Sequence, residues 1–589
     1  MVKRFSLGFL FVLEIFIIFF VENVSAEVYY LSPNGSDSGN GSFEDPWFSL
    51  NYALNKYAND YANARVSSGD TLYLRGGVYD ITAMSKQADK PCPYIVTNQA
   101  PEDARITIKS YPGEWAILDG GEDRSALRSN YEIYNITFED MEVRNCLTAG
   151  FHFGFGYDNP YLHNCIFRNI YFHNNTHPDV NSNPAGLRLA CENCTIEYCT
   201  FENNGVIESS HLNSANLILY NRYSSFPELT PRRNNVVRYC FFDGGGSSLK
   251  DKGGSEFVNS SNPNRTNEDW ANEIHHNIFK NSLGQGYYSV QDFVEFHHNL
   301  LINCSNGVRV HSSSASDRCH WYNKIYANTF VNTNFAINIE DSPYGDKNGA
   351  FGHEMHSNLF YDCGEEPLLF WTGQNAHDFN VSSDFNVWDN KTIFVGRKLL
   401  DSGVEFNDWR GYGYGLNSEI GEVSFLNFST NDYRLDSNSV GKNSAKDGRD
   451  VGAFDESNWY GKAGYFGLNF SNSLLEKTCG DSVCNGTEDC SNCPKDCLNS
   501  SIEICCSRTV YVGDCCDDSE CGSGFECNLS DHLCYENQTQ IKCVHEAEIG
   551  PCDGVISFTE IQDYLDRWLN GEITINQLLS GINEWRGFN

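Results

Sequence analysis

The chain has 589 residues, 78 Asp+Glu against 41 Lys+Arg and a formal net charge of −37, which is too long for one ordinary domain. A field of that sign repels polyanions. It argues against a general nucleic-acid binder or an anionic-membrane binder, while leaving room for a local basic groove. Hydrophobic residues at 40% suffice for a core, and 50 Gly against 16 Pro favour strands and turns over long helices.

Met1-Val2-Lys3-Arg4 opens the chain, an apolar run follows from Phe5 to Val21, and Val24-Ser25-Ala26 offers small residues for cleavage. This order predicts a secretory signal peptide over 1–26, with a membrane anchor as the alternative. No later apolar run is long enough to span a bilayer, so the mature chain is expected to be secreted or held at the cell surface. Asn-x-Ser/Thr sequons at Asn34, Asn135, Asn259 and Asn380 agree with export.

Cysteine usage divides the rest. Ten of the 24 cysteines fall in 27–472, and the other fourteen crowd into 479–552. The expected organisation is a solenoid over 27–472, Cys-rich modules over 473–540 and a helical module over 541–589. Within the solenoid, 27–125 reads as cap and first coils, 126–395 as central coils and 396–472 as a closing segment.

A local pattern recurs through the first block: Asn or Cys, one residue, Phe or Leu, one residue, Asn or Asp. It appears as Cys165-Ile166-Phe167-Arg168-Asn169, Cys199-Thr200-Phe201-Glu202-Asn203 and Cys240-Phe241-Phe242-Asp243-Gly244. It continues at Asn277-Ile278-Phe279, Asn299-Leu300-Leu301, Asn328-Thr329-Phe330 and Asn358-Leu359-Phe360, in steps of 22 to 41 residues. Repeats of this length mean stacked coils, and period-2 alternation means strands. One coil cannot bury its own apolar face; parallel stacking buries a continuous column. The Asn or Cys shares parity with the Phe, so both point inward, where amides can bond their stacked equivalents. Cys165, Cys199 and Cys240 then form a column of buried thiols, within reach of oxidation. Cys191-Glu192-Asn193-Cys194 reads as a local disulfide or as unpaired thiols.

With these motifs the chain resembles the pectin-lyase-like superfamily from about residue 27 to 456. Glu27 to Asp37 with Trp47-Phe48-Ser49-Leu50 is similar to the N-terminal cap of that superfamily. Gly69 to Tyr79 and Ile106 to Glu114 are similar to its first coils, and Asp450-Val451-Gly452-Ala453-Phe454 to its closing segment. The resemblance implies an all-β, right-handed parallel β-helix. It specifies chemistry poorly, because lyases, hydrolases, epimerases and inert surface proteins share the scaffold.

Aligning the strand after each bend gives one outward row of His152, Arg188, Lys250, Tyr288, Arg309, Asn338 and Leu369. A second row, two residues on, contains Ala190, Lys252, His311, Glu340 and Trp371. Stacked strands lie about 4.8 Å apart, so each row is a continuous ribbon. Cations beside aromatic rings suit an acidic polysaccharide, by pairing with uronate carboxylates and stacking on sugar faces. By resemblance to uronate lyases, Lys250 is the candidate base, with Lys252, Arg309 and His311 as charge-stabilising or proton-donating partners. Arg188, Tyr288, Asn338, Glu340 and Trp371 are candidate substrate-binding residues. The bland alternative is a solvated strand face. Asp251 has inward parity between two outward lysines, which implies a bulge or a slipped register. The aspartate cluster that calcium-dependent lyases of this fold place beside the base is not evident here.

A glycoside hydrolase would need paired carboxylates, for which Glu340, Asp341, Asp292, Glu295 and Glu208 are candidates. The pairs His275-His276 and His297-His298 occupy equivalent positions one coil apart. They fit a metal site or, more plainly, a position beside the Asn ladder.

In the tail, cysteines from Cys479 to Cys534 form a disulfide framework with little apolar content, resembling Cys-rich repeats of exported archaeal surface proteins. Asp553-Gly554-Val555-Ile556-Ser557-Phe558-Thr559-Glu560 resembles the second half of an EF-hand or dockerin loop. Asp553, Ser557 and Glu560 match ligand positions for Ca2+, whereas Ile549 and Pro551 supply no side-chain oxygens. Two amphipathic helices are expected around Asn570-Gly571; by resemblance to dockerins they would dock a protein partner. Export, fold and cation row together point to a lyase acting on a uronate polysaccharide, with a noncatalytic surface adhesin or glycan-binding protein as the alternative.

Overall fold

The computed structural model describes residues 26–464, except 55–64, 89–103, 122–124, 130–132, 154–161, 178–183, 206–213, 221–233, 253–271, 290–292, 312–321, 341–350, 365–366, 372–379, 399–402, 455–458 and 460–462, and four strands between 503 and 536. The chain divides into two compact units, 1–471 and 472–589.

The first unit is a parallel β-helix whose coils lay strands on three faces. The first face runs from Val28–Leu31 and Thr71–Leu74 through Thr195–Glu197, Val236–Arg238, Glu273–His275, Glu295–His297 and Lys324–Tyr326 to Asn380–Asp384. The second runs from Gly77–Asp80 through Thr200–Glu202, Phe241–Asp243, Ile278–Lys280, Leu300–Ile302 and Thr329–Val331 to Glu419–Gly421. The third comprises Ser125–Ser129, Ala149–Phe153, Ala185–Glu192, Ala215–Tyr220, Leu249–Lys252, Gln285–Ser289, Asn306–His311, Phe335–Glu340, Leu368–Trp371 and Gly396–Lys398. Coil-to-coil pairing is parallel on every face, as in Thr195↔Val236, Thr200↔Phe241 and Lys250↔Tyr288.

The bends explain the repeated Asn. Asn164, Asn169, Asn174, Asn193, Asn203, Asn281, Asn303 and Asn332 all take positive φ between 48° and 57°. Asn tolerates this left-handed conformation better than other residues with a Cβ. The next residue inward carries the ladder. Asn277 Nδ2 donates to Asn299 Oδ1 at 3.0 Å, Asn299 to Asn328 at 3.2 Å, Asn328 to Asn358 at 3.0 Å and Asn358 to Asn386 at 3.1 Å. Beside it runs an aromatic stack: Phe172 on Phe201 at 5.1 Å, Phe201 on Phe242 at 4.9 Å and Phe242 on Phe279 at 4.8 Å.

That stack corrects one alignment. Phe172, not Phe167, is the equivalent of Phe201, because Phe167 pairs with Ile196 one bend earlier. Cys165 therefore stacks toward Cys194, whose Sγ accepts from Cys165 N, whereas Cys199 and Cys240 belong to a different column. Cys146, Cys165, Cys191, Cys194, Cys199, Cys240, Cys304 and Cys363 are free thiols, so the Cys191–Cys194 pair is not a disulfide. Burial pushes the Cys304 and Cys363 thiols up to about 12, away from the reactive thiolate. Asn135 sits buried at a bend, which makes it a poor glycan acceptor.

The closing segment folds back on the second face. Its antiparallel strands Phe425–Asn427 and Asp432–Leu435 are followed by a stretch that buries Ala453 and Trp459 against Phe241, Ile278, Leu300 and Val331. Among the described residues no helix is long and apolar enough to cross a membrane. In the second unit, antiparallel hairpins pair Glu503–Cys506 with Thr509–Val512 and Phe525–Asn528 with Leu533–Glu536. Asp553, Ser557, Glu560 and the expected C-terminal helices lie outside the described residues.

Candidate active site

The third face begins each strand with a small residue wherever coils crowd. A Cβ at Gly307 would lie 2.4 Å from Ala336 O, so only glycine fits there. From these starts the strands alternate, Val308 inward, Arg309 outward and Val310 inward. Pairing sets the outward row in full: Arg128, His152, Arg188, Ile218, Lys250, Tyr288, Arg309, Asn338, Leu369, Arg397. The expected row is therefore real. It also holds three members that sequence reading missed, Arg128, Ile218 and Arg397. Ile218 was lost because Leu217-Ile218-Leu219 shows no polar alternation. Arg128 shows no bend motif just ahead of its strand.

The second row follows the same register, with Ala190, Tyr220 and Lys252 in adjacent strands, and His311, Glu340 and Trp371 likewise. The side chains of Lys252, His311 and Trp371 are outside the described residues.

Side-chain geometry brings five of the expected residues together. Lys250 Nζ lies 5.7 Å and the Arg309 guanidinium 5.9 Å from the Tyr288 ring centroid, within cation–π range. Arg309 donates to Glu340 Oε2 at 2.6 Å, and Asn338 Nδ2 donates to Glu340 Oε1 at 2.8 Å. Burial pushes the Tyr288 hydroxyl up to about 12, with Arg309 opposing and Glu340 adding to the shift. Tyr288 is therefore a neutral proton carrier over the physiological range.

The expectation of a solvent-lined groove needs correction. Lys250 is fully buried and Arg188, Tyr288, Asn338 and Leu369 nearly so, whereas Arg309 and Glu340 keep about one fifth of their side-chain surface. The row is open at Arg309–Glu340 and covered at Lys250. At its other end, His152 is held well below its ordinary value by burial and by the neighbouring Arg188 and Arg128.

Asp251 requires no bulge. Its strand pairs Leu219↔Asp251 and Asp251↔Ser289 in unbroken register, so Asp251 points into the core at the opposite parity to Lys250. There its Oδ2 accepts from Asn272 Nδ2 at 2.8 Å and Tyr287 OH at 3.3 Å. The carboxylate is structural. Glu295 lies on the first face, where its Oε1 accepts from Lys324 Nζ at 2.9 Å, so Glu295 and Glu340 do not form a hydrolase pair. Asp341, Asp292 and Glu208 fall outside the described residues. The histidine pairs stack beside the Asn ladder, His275 on His297 at 5.1 Å and His276 on His298 at 5.0 Å. Among the described residues no group of three or more His, Cys, Asp or Glu is placed to hold a metal ion.

No family model matches the chain. Pectate lyase PEL9 of Emericella nidulans is 30% identical over 105 residues, 17% of this chain and 23% of that protein. The chain thus matches less than a quarter of that curated relative's length. Among solved structures, pectate lyase Pel9A is similar at a TM-score of 0.42 and 13% identity, over 74% of this chain and 97% of that one. A rhamnogalacturonan lyase is similar at 0.42 and 13%, over 71% and 96%. A mannuronic acid specific family 6 lyase from human gut microbiota is similar at 0.41 and 15%, over 64% and 77%.

Proposed function

We propose that this chain is an exported, lyase-type carbohydrate-active enzyme that cleaves an acidic, uronate-containing polysaccharide by elimination on the third face. The observation that supports it best is that Lys250 and Arg309 flank Tyr288 in one row, both within 6 Å of its ring. In this reading Lys250, as the neutral amine, takes the proton next to the uronate carboxylate. Arg309 pairs with that carboxylate and stabilises the charge that develops on it. The C–H electron pair becomes the ring double bond, and the glycosidic oxygen leaves with a proton from Tyr288 or His311. Arg188, Asn338 and Trp371 line the same two rows and would hold neighbouring sugar units. Asp553, Ser557 and Glu560 are proposed as a separate, degenerate Ca2+ loop.

The full burial of Lys250 favours a second reading, a noncatalytic glycan-binding protein of the cell surface. One experiment separates the two. The full chain is incubated with a panel of uronate polymers, following absorbance of the unsaturated product. Product that disappears in Lys250→Ala and Arg309→Ala supports elimination. Retained binding without product on any polymer leaves the adhesin. Product unaffected by both substitutions would place the chemistry elsewhere.

A further inference from the structure

A buried carboxylate sits beneath the start of the first strand. Asp70 closes the turn before Thr71–Leu74 and is 1% exposed. Its Oδ2 accepts from Ser67 N at 2.7 Å and from Ser67 Oγ at 3.0 Å. Its Oδ1 accepts from outside the turn, from the backbone N of Glu27 at 2.8 Å. Among the described residues these donors are all neutral. The carboxylate thus has hydrogen bonds but no countercharge, and burying a charge without one is costly.

The same coil holds Glu27 in place. Glu27 O accepts from Thr71 N at 2.9 Å, and Val28 pairs with Thr71. Its N is therefore fixed on Asp70, while Ala26 and Glu27 are otherwise exposed. The bond between them follows Val24-Ser25-Ala26, the small residues expected at a cleavage site. The atom that meets Asp70 is thus the atom that cleavage would free. Hydrolysis adds water across this bond. Ala26 leaves as a carboxylate with residues 1–26, and Glu27 N takes protons to become an α-ammonium at neutral pH.

We infer that cleavage at Ala26–Glu27 is a maturation step, in which the new α-ammonium of Glu27 pairs with buried Asp70 and staples the first strand to the coil. A neutral hydrogen bond becomes a charge-assisted one of roughly twice the strength. The position of the cut matters. An N-terminus at Ala26 would leave a peptide N–H against Asp70 and put the ammonium on an exposed residue. Among the described residues, the titratable groups beside the new amine are Asp70, the carboxylate of Glu27 and Tyr29. Burial, then Asp70 and Glu27, push the Tyr29 hydroxyl up, so it stays neutral. With no cation among them, the amine is held protonated above its ordinary value of about 8. The inference rests on the export in the proposed reading and on none of the lyase chemistry.

The test has two arms. The chain carrying residues 1–26 is secreted and its first residue read by mass spectrometry; Glu27 is expected. Separately, chains 27–589 and 25–589 are released from a fusion cut directly before their first residue. Their α-amines are labelled with an acylating reagent at pH 7. The Glu27 amine should react about tenfold more slowly than the Ser25 amine. Asp70→Asn in the 27–589 chain should restore the ordinary rate, whereas Glu27→Gln should restore little of it. Urea midpoints should be higher for the Glu27 start than for the Ser25 start, and the difference should vanish in Asp70→Asn. The Ser25 start keeps Asp70, so the comparison of the two starts stands even where Asp70→Asn folds poorly. A chain that keeps residues 1–26 would overturn the inference together with the export reading. A first residue other than Glu27, or equal labelling of the two starts, would overturn it alone. Neither arm uses a polysaccharide, so failure of elimination on the third face is read separately.

Discussion

Arg309 donates to Glu340 Oε2 at 2.6 Å, a contact that ties together the two outward rows of the third face. On the proposed elimination Glu340 would have opposite effects on a uronate substrate: it would repel the substrate's carboxylate, and it aims Arg309. Repulsion between partly exposed charges is worth about 1 kcal/mol, whereas a charge-assisted hydrogen bond is worth about 1.5–3 kcal/mol. Positioning should therefore win. Glu340→Gln is expected to lower kcat for elimination about tenfold with a smaller change in KM, and Arg309→Lys to lose more, because an ammonium cannot replace the planar fork. Steady-state rates on the best polymer of the panel check this; a rise in kcat for Glu340→Gln would show that repulsion dominates.

Asp251 is the core carboxylate beside Lys250, and its partners predict its worth. Removing it leaves Asn272 Nδ2 and Tyr287 OH buried without that acceptor. Each such group costs about 1–3 kcal/mol. Asp251→Leu matches the equivalent Leu219 in shape, yet it should destabilise the chain by about 2–5 kcal/mol. Asp251→Asn keeps an acceptor and should cost less. Urea midpoints measure both, and an unchanged midpoint for Asp251→Leu would show that Asn272 and Tyr287 find other partners.

The two outcomes show where sequence reading worked. The register of Arg188, Arg309 and Asn338 was legible because apolar residues flank each, as in Leu187-Arg188-Leu189, Val308-Arg309-Val310 and Ile337-Asn338-Ile339. Ile218 broke that alternation, so its coil dropped out and Arg188 was placed one coil too near Lys250. The first ladder copy was misaligned because Cys165-Ile166-Phe167 copies the spacing of Cys199-Thr200-Phe201, whereas the true equivalent, Ile170-Tyr171-Phe172, carries Ile at the ladder position, and only strand pairing tells them apart. Burial of the row was illegible for a different reason. A strand pattern reports which side chains leave the core, not whether other chain covers them once they do. Asp251 shows the converse: a charged residue read as a defect is a hydrogen-bonded part of the interior.

The histidines of the first face predict acid sensitivity. Burial pushes His356 down to about 4, with Lys446 adding to the effect and Asp447 opposing it. Burial and then His297 push His275 down to about 3. An unfolded imidazole titrates near 6.5, so below that value the unfolded chain binds more protons than the folded one. This contribution to stability is complete above 6.5. It is lost as pH falls toward about 4 for His356 and about 3 for His275. Urea midpoints should fall across that window. His356→Phe, which keeps a ring against Tyr326, should flatten the upper part of the fall; an unaltered pH profile in that variant would remove His356 from the account.

Asn328 sits at the middle of the amide ladder and carries more bonds than a surface residue could. Its Nδ2 donates to Phe296 O at 3.0 Å, Tyr326 O at 2.9 Å and Asn358 Oδ1 at 3.0 Å. Its Oδ1 accepts from Asn299 N at 3.0 Å and Asn299 Nδ2 at 3.2 Å. Asn328→Leu has nearly the right volume but strips partners from both neighbouring coils at once. The expected cost is about 3–5 kcal/mol, near the upper end for one substitution. Asn328→Asp retains the acceptor and loses the donors, so it should approach the same cost with an added acid rescue as its carboxyl protonates. Because each coil touches only its neighbours, the loss should be local. Hydrogen exchange should quicken first at the Asn299 and Asn328 amides and much less at Cys199 and Cys240. Uniform quickening along the solenoid would mean that the ladder acts as one cooperative unit instead of a chain of pairwise contacts.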